Sequence, residues 1–227
     1  MSPGKQSRGT CAYCERQMVK GAMLRHWPTC PQRQTAIAEA ALGLGTSGQL
    51  FHLRVQDAGG GHYWLDLEMR GSATLNDLDQ YLRAIWLECC GHLSRFSIGG
   101  WAGEEIAKRT RADRVFEPQV QLTHIYDFGT SSETLVKVVA VREGKPTTSR
   151  PIALMARNLP PEAQCMECER PASWLCVECM YDEERSGLLC DEHVRDHPHD
   201  DYGEPFPLVN SPRVGMCGYT GPAEPPY

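Results

Sequence analysis

The chain has 227 residues, 41% hydrophobic and 23% charged, which is the balance of a water-soluble globular protein with room for a sizeable core. No apolar run is long enough to cross a bilayer, and the opening MSPGKQSRGT is basic without the apolar stretch of a secretory signal, so a cytoplasmic protein with no membrane partner is expected. Eleven cysteines then point to metal-bound thiolates rather than disulfides, and the net charge of −6 is uneven: +5 over 1–35, −1 over 36–160 and −10 over 161–227.

Three segments are expected: 1–35, 48–156 and 162–220. Two joints separate them, LGLGTSG at 42–48 and RNLPPEAQ at 157–164, where Pro160 and Pro161 cannot continue a helix or a central strand.

The first segment, CAYCERQMVKGAMLRHWPTC, offers Cys11, Cys14, His26 and Cys30 as C-x2-C-x11-H-x3-C. A CxxC turn lets two sulfurs meet one ion, and His26 and Cys30, four apart, would project from one face of a helix. The spacing resembles the small C2HC zinc fingers. Four protein ligands leave no open coordination position, so the ion would be structural. Arg16, Lys20, Arg25 and Arg33 make this end basic. Trp27 could stack on a base or a partner side chain, or equally cover the metal.

The middle segment carries the periodicities of an α+β fold, a central sheet with a packed helix. FHLRV at 51–55 and YWLDLEM at 63–69 alternate apolar and polar residues and are joined by DAGGG, which predicts a hairpin. In TLNDLDQYLRAIWLECCG, Leu75, Leu78, Leu82, Ile85, Trp86 and Cys89 recur at helical spacing. Thr74 with Asp77 reads as a capping box, and Gly91 as the C-terminal cap. VQLTHIYDF and ETLVKVVAVREG predict two further strands, giving a mixed or antiparallel sheet. KRTRADR adds Lys108, Arg109, Arg111 and Arg114 in a basic loop, a second candidate contact for nucleic acid.

The paired strands, the helix from TLNDLDQYL, the HLSRF turn with its IGG, and YDFG together resemble the plasmid ORF-three-like family, over residues 48–145. That likeness implies a compact α+β domain of the kind often described as a mobile-element passenger or resolvase. Many members follow YDFG with an acidic residue and Trp-Glu-His; here TSSET follows Gly129. His92, Arg95, Phe96, Tyr126 and Asp127 are the candidates for a shared surface or pocket, with turn-forming as the alternative role. DFG here is no kinase signature, because no glycine-rich loop or HRD-type segment accompanies it. GGG at 59–61 lacks the Lys-Ser/Thr of a phosphate loop, and no G-x-S-x-G elbow occurs.

The last segment gathers Cys165, Cys168, Cys176, Cys179, Cys190, His193, His197 and His199, enough for two tetrahedral ions. Seven residues between CxxC pairs cannot build a core, so metal must replace burial. The order resembles the B-box group of cross-braced zinc modules. By that likeness Cys165, Cys168, Cys190 and His193 share one ion, and Cys176 and Cys179 share the other with His197 and His199. A sequential pairing of the four early cysteines is the rival, and Cys217 could replace one histidine.

Three zinc ions are therefore expected. The first reading is a zinc-binding, non-enzymatic interaction or adaptor protein with a protein partner, an accessory of a mobile genetic element. The second is a nucleic-acid-binding protein using the basic finger and the 108–114 loop. The third is an enzyme with a site near His92 and Asp127.

Overall fold

A computed structural model describes residues 7–88, 90–199 and 201–216. Its main element is a nine-stranded sheet whose pairs are all antiparallel. In chain order the strands are β1 (Arg8–Cys11), β2 (Gln17–Val19), β3 (Gly48–Asp57), β4 (Trp64–Arg70), β5 (Ser94–Ile98), β6 (Glu104–Ile106), β7 (Gln121–Tyr126), β8 (Ser132–Gly144) and β9 (Ile152–Asn158). Across the sheet they run β2-β1-β9-β4-β3-β8-β7-β5-β6. With a few helices this is an α+β arrangement.

The hairpin between β3 and β4 forms because Asp57 organises its turn: its carboxylate accepts from the amides of Gly60, Gly61 and Tyr63 at 2.9, 2.9 and 2.7 Å. Helix α3 (Leu75–Ile85) starts at the expected capping box, with the Asp77 amide donating to Thr74 Oγ1 and the Thr74 amide to Asp77 Oδ2. Its end differs from expectation. The helix stops at Ile85, with Trp86 as C-cap, because Leu87 turns into the left-handed region at φ +61° well before Gly91. Cys89, expected on the apolar face, lies outside the described residues. Leu75, Leu78, Leu82 and Ile85 share one buried cluster with Phe51, Leu53 and Val55 of β3 and Leu65, Leu67 and Met69 of β4. The 108–114 segment serves the same helix, since Thr110 and Lys108 carbonyls accept from the amides of Leu75 and Asn76.

The first segment contributes two strands to this same sheet. β1 pairs with β9, matching Gly9 to Asn158, Thr10 to Arg157 and Cys11 to Ala156. The approach is so close that a Cβ on Gly9 would lie 2.5 Å from the Trp64 ring and from the Arg157 carbonyl. Beyond β2 come α1 (Lys20–His26), a 3₁₀ turn at Trp27–Thr29 and α2 (Pro31–Leu42). Met23 and Trp27 pack with Trp64, Met155 and Ala156 over the sheet's second face. The polar positions of the β3 and β4 alternation therefore face protein. His52, Arg54, Asp66 and Glu68 are all buried. Asp66 satisfies them in part, accepting from His52 Nε2 at 2.9 Å and from Arg54 Nε and Nη2 at 2.8 Å each. Burial pushes the Asp66 carboxyl up, but these partners outweigh it and hold it below the usual carboxylate range.

The last segment has a small sheet of its own, while its end from Asn210 packs back on the body, Ser211 Oγ donating to the Trp86 carbonyl and Arg213 Nη2 to Asp127 Oδ2. A small antiparallel sheet of β10 (Trp174–Leu175), β11 (Leu188–Leu189) and β12 (Phe206–Pro207) carries the short helix α4 (Val177–Tyr181). Its buried cluster consists of Cys176, Cys179 and Leu189, too little apolar mass to hold a fold by itself. No helix among the described residues is long and apolar enough to cross a membrane.

Candidate metal centres

Three sets of four side chains converge, each with its ligand atoms within 4.8 Å of one another: Cys11, Cys14, His26 and Cys30; Cys165, Cys168, Cys190 and His193; Cys176, Cys179, His197 and His199. The pairing in the last segment is thus interleaved rather than sequential. Cys217 lies outside the described residues.

The first set is assembled from a turn and two helix ends. Cys11 ends β1, and its amide bonds the Arg16 carbonyl while its carbonyl accepts from Glu15, folding the CxxC into a tight knuckle. His26 and Cys30 do not share a helix as expected. His26 closes α1, the 3₁₀ turn containing Pro28 intervenes, and Cys30 caps α2 with Pro31 in its first turn. In the last segment Cys176 caps α4, Cys179 lies one turn along it, and Cys190 directly follows β11.

The spacings fit a tetrahedral ion bound by thiolate and imidazole. Metal–sulfur bonds of about 2.3 Å imply sulfur–sulfur edges of about 3.8 Å and sulfur–nitrogen edges of about 3.6 Å. Observed edges are 3.3 Å for Cys14–His26, 3.9 Å for Cys168–Cys190, and 3.3 and 3.6 Å from His193 to Cys165 and Cys190. In the third set His199 Nδ1 stands 3.8 Å from Cys176 and 3.1 Å from Cys179, and His197 Nε2 is 3.4 Å from Cys179. Sulfurs this far apart are not disulfide-bonded.

Two further features favour a cation. His199 turns its other nitrogen, Nε2, to Glu183 at 3.3 Å, the carboxylate contact that orients a ligating imidazole. Burial, with neighbouring thiol charge, pushes the Cys11 and Cys179 thiols up to about 12, an environment in which a thiolate needs a positive ion beside it.

The basic candidates divide. Arg16, Arg25, Arg109, Arg111 and Arg114 are exposed. Arg111 and Arg114 pair with Asp113. Lys20 is spent on Gln56 and the Gly61 carbonyl, Arg33 on Glu68 and the Trp27 carbonyl, and Lys108 on Asp79 and Ser94. Trp27 is buried over His52 and so covers the first cluster and the sheet.

His92 and Asp127 do meet, at 3.6 Å, but His124 points elsewhere, bonding Asp79 at 2.8 Å inside the core. Arg95 stacks at 5.1 Å on Trp101, Phe96 packs on the His124 ring, and Tyr126 donates its hydroxyl to the Glu88 carbonyl. Sequence reasoning missed Asp79, although it falls inside the apolar arc of α3, and missed Arg213 entirely, since nothing local marks it.

Glu88 is buried with neither carboxylate oxygen hydrogen-bonded among the described residues, and burial pushes its carboxyl up. A carboxyl raised in the folded state costs stability as pH climbs past its unfolded value, about 4.5. Glu88→Gln is therefore expected to stabilise the chain at pH 7 by about 1 kcal/mol, read from denaturant midpoints. The gain should vanish near pH 4.

No protein-family model matches the chain, and no curated protein matches it. Among solved structures it is similar to MM3350, a protein of unknown function from Methanosarcina mazei Go1. The identity is 17% and the TM-score 0.40, over 47% of this chain and 68% of that one.

Proposed function

We propose that the chain is a zinc-binding, non-enzymatic interaction protein of a reducing, cytoplasmic compartment, with three structural zinc ions and a protein partner. The observation that carries this is the closure of all three ligand sets: each supplies four protein donors and leaves no position for water or substrate. The ions' chemistry would be cross-linking, in place of the apolar mass the last segment lacks. The net charge of −10 over 161–227 suits a protein partner better than a phosphate backbone. The likeness of 48–145 to the plasmid ORF-three-like family is the ground for placing it among accessories of mobile elements. Native mass spectrometry under reducing conditions tests the reading: three zinc ions per chain are expected, removed by chelation. Reduced, folded protein without bound zinc overturns it.

A nucleic-acid-binding role is the second reading, favoured by the exposure of Arg16 and Arg25 on the first cluster's surface. It requires retention on nucleic acid that falls steeply with salt and is lost in Arg16→Glu/Arg25→Glu. Retention that is absent at low salt removes it.

A further inference from the structure

Past β9 the chain leaves the body at Asn158 and returns at Asn210, and these two residues close the neck of the excursion. Asn158 Nδ2 donates to Asn210 Oδ1 and Asn210 Nδ2 donates to the Asn158 carbonyl, both at 2.8 Å. Beyond the neck Arg213 is inserted into the body, with only 2% of its surface exposed. Its Nη1 donates to the Thr130 carbonyl at 2.9 Å and to Ser132 Oγ at 3.3 Å, and its Nη2 to Asp127 Oδ2 at 3.1 Å. The guanidinium carbon stands 5.0 Å from the Tyr126 ring centroid.

The receptor is built by the body alone. Tyr126, Asp127, Thr130 and Ser132 all belong to the β7–β8 connection or its flanking strand ends. Asp127 is pinned in a left-handed conformation at φ +63°, its amide bonded to the Leu93 carbonyl. The Gly129 amide holds its Oδ1 at 3.0 Å, which leaves Oδ2 for a cation. Carboxylate, carbonyl and hydroxyl take up both terminal nitrogens of the arginine fork and the ring lies against its plane, while Nε is buried without a partner among the described residues. Beside this pocket lie exposed apolar side chains, with Arg95 stacked at 5.1 Å on one of them, Trp101, and His92 at 3.6 Å from Asp127 Oδ2. Phe128 and Trp101, in edge contact at 5.5 Å, are 46% and 42% exposed, and Leu93 is 72% exposed.

We propose that the β7–β8 turn is an arginine-recognition pocket, occupied within the chain by Arg213, that accepts the arginine of a partner peptide whose apolar neighbour covers Phe128 and Trp101. The tethered Arg213 competes at an effective concentration in the millimolar range, so a partner must add contacts beyond the guanidinium. The aromatic pair supplies them. This holds whichever ion fills the three clusters.

The test uses the full chain with Arg213→Ala and a fluorescent peptide, acetyl-Ser-Pro-Arg-Val-amide, in anisotropy. The variant is expected to bind at least about tenfold tighter than the unaltered chain. Binding should disappear when citrulline replaces the peptide's arginine and when Asp127→Asn is added. Equal binding of the citrulline peptide, or no binding by a folded variant with its full metal content, overturns the proposal. Should Arg213→Ala fail to fold, the unaltered chain answers by hydrogen exchange. Saturating peptide is expected to speed exchange at the Val214 and Met216 amides, which now bond Ser211 and Arg213; unchanged rates overturn it.

Discussion

Cys11→Ser or Cys30→Ser is expected to destabilise the whole body of the protein, whereas Cys179→Ser is expected to unfold only the last segment. Each variant should lose one metal ion. The difference lies in what each cluster holds. Cys11 ends a strand paired to β9, and Cys11, Met23, Trp27 and Cys30 pack against Trp64, Met155 and Ala156 of the main sheet. Releasing that cover uncovers Asp66, His52, Arg54 and Glu68 on one face and leaves β9 as an open edge. A structural thiolate site contributes on the order of 10 kcal/mol to folding, and an ion held by Cys11 and Cys30 would share that contribution with the sheet. Around Cys179, by contrast, the buried cluster is small and separate. Thermal unfolding followed by tryptophan fluorescence, with metal counted in parallel, distinguishes the two cases. Equal, small effects on the main transition would show that the first cluster is merely appended.

The second large effect is expected at Asp79, which is 1% exposed and bonds the side chains of His124, Ser94, Arg83 and Lys108. His124 Nε2 and Ser94 Oγ approach Oδ1 at 2.8 and 2.6 Å, and Arg83 and Lys108 approach Oδ2 at 2.9 and 3.1 Å. Asp79→Asn keeps the shape but leaves Arg83 and Lys108 without their counter-charge, at a cost of about 3–5 kcal/mol. Burial by itself pushes the Asp79 carboxyl up. The hydrogen bonds from His124, Ser94 and Arg83 outweigh it and hold the group well below the usual carboxylate range. A depressed carboxylate stabilises the fold fully above its unfolded pKa, about 4, and loses that contribution as pH falls toward the folded value. Denaturant midpoints of the original chain and Asp79→Asn should therefore differ most at pH 7 and converge below about pH 4. A gap that stays constant across that range would mean that Asp79 acts through packing and not through charge.

Much of the local structure was legible in the residues. The Thr74–Asp77 box, the Asp57 turn and the β7 and β8 runs are encoded within a few positions by capping, side-chain–amide bonding and period-two alternation. The grouping of twelve candidate ligands was legible because thiolate and imidazole donors are few and tetrahedral valence restricts how they combine. The interleaved pairing needed a family likeness to be favoured over the sequential one. The end of α3 was misread because Leu87, an ordinary helix former, takes a left-handed conformation that its identity does not signal.

By itself, then, the sequence determined which side chains could hold a metal and most of the secondary elements, since both depend on short spacings along the chain. Only the tertiary structure decided that the second face of the sheet is covered by the first segment. Only it showed Arg54 and Asp66 paired in the interior and Arg213 seated in the turn at Asp127. Those outcomes rest on contacts between residues far apart in the chain, where the same polar side chain reads identically whether it faces water or a buried partner.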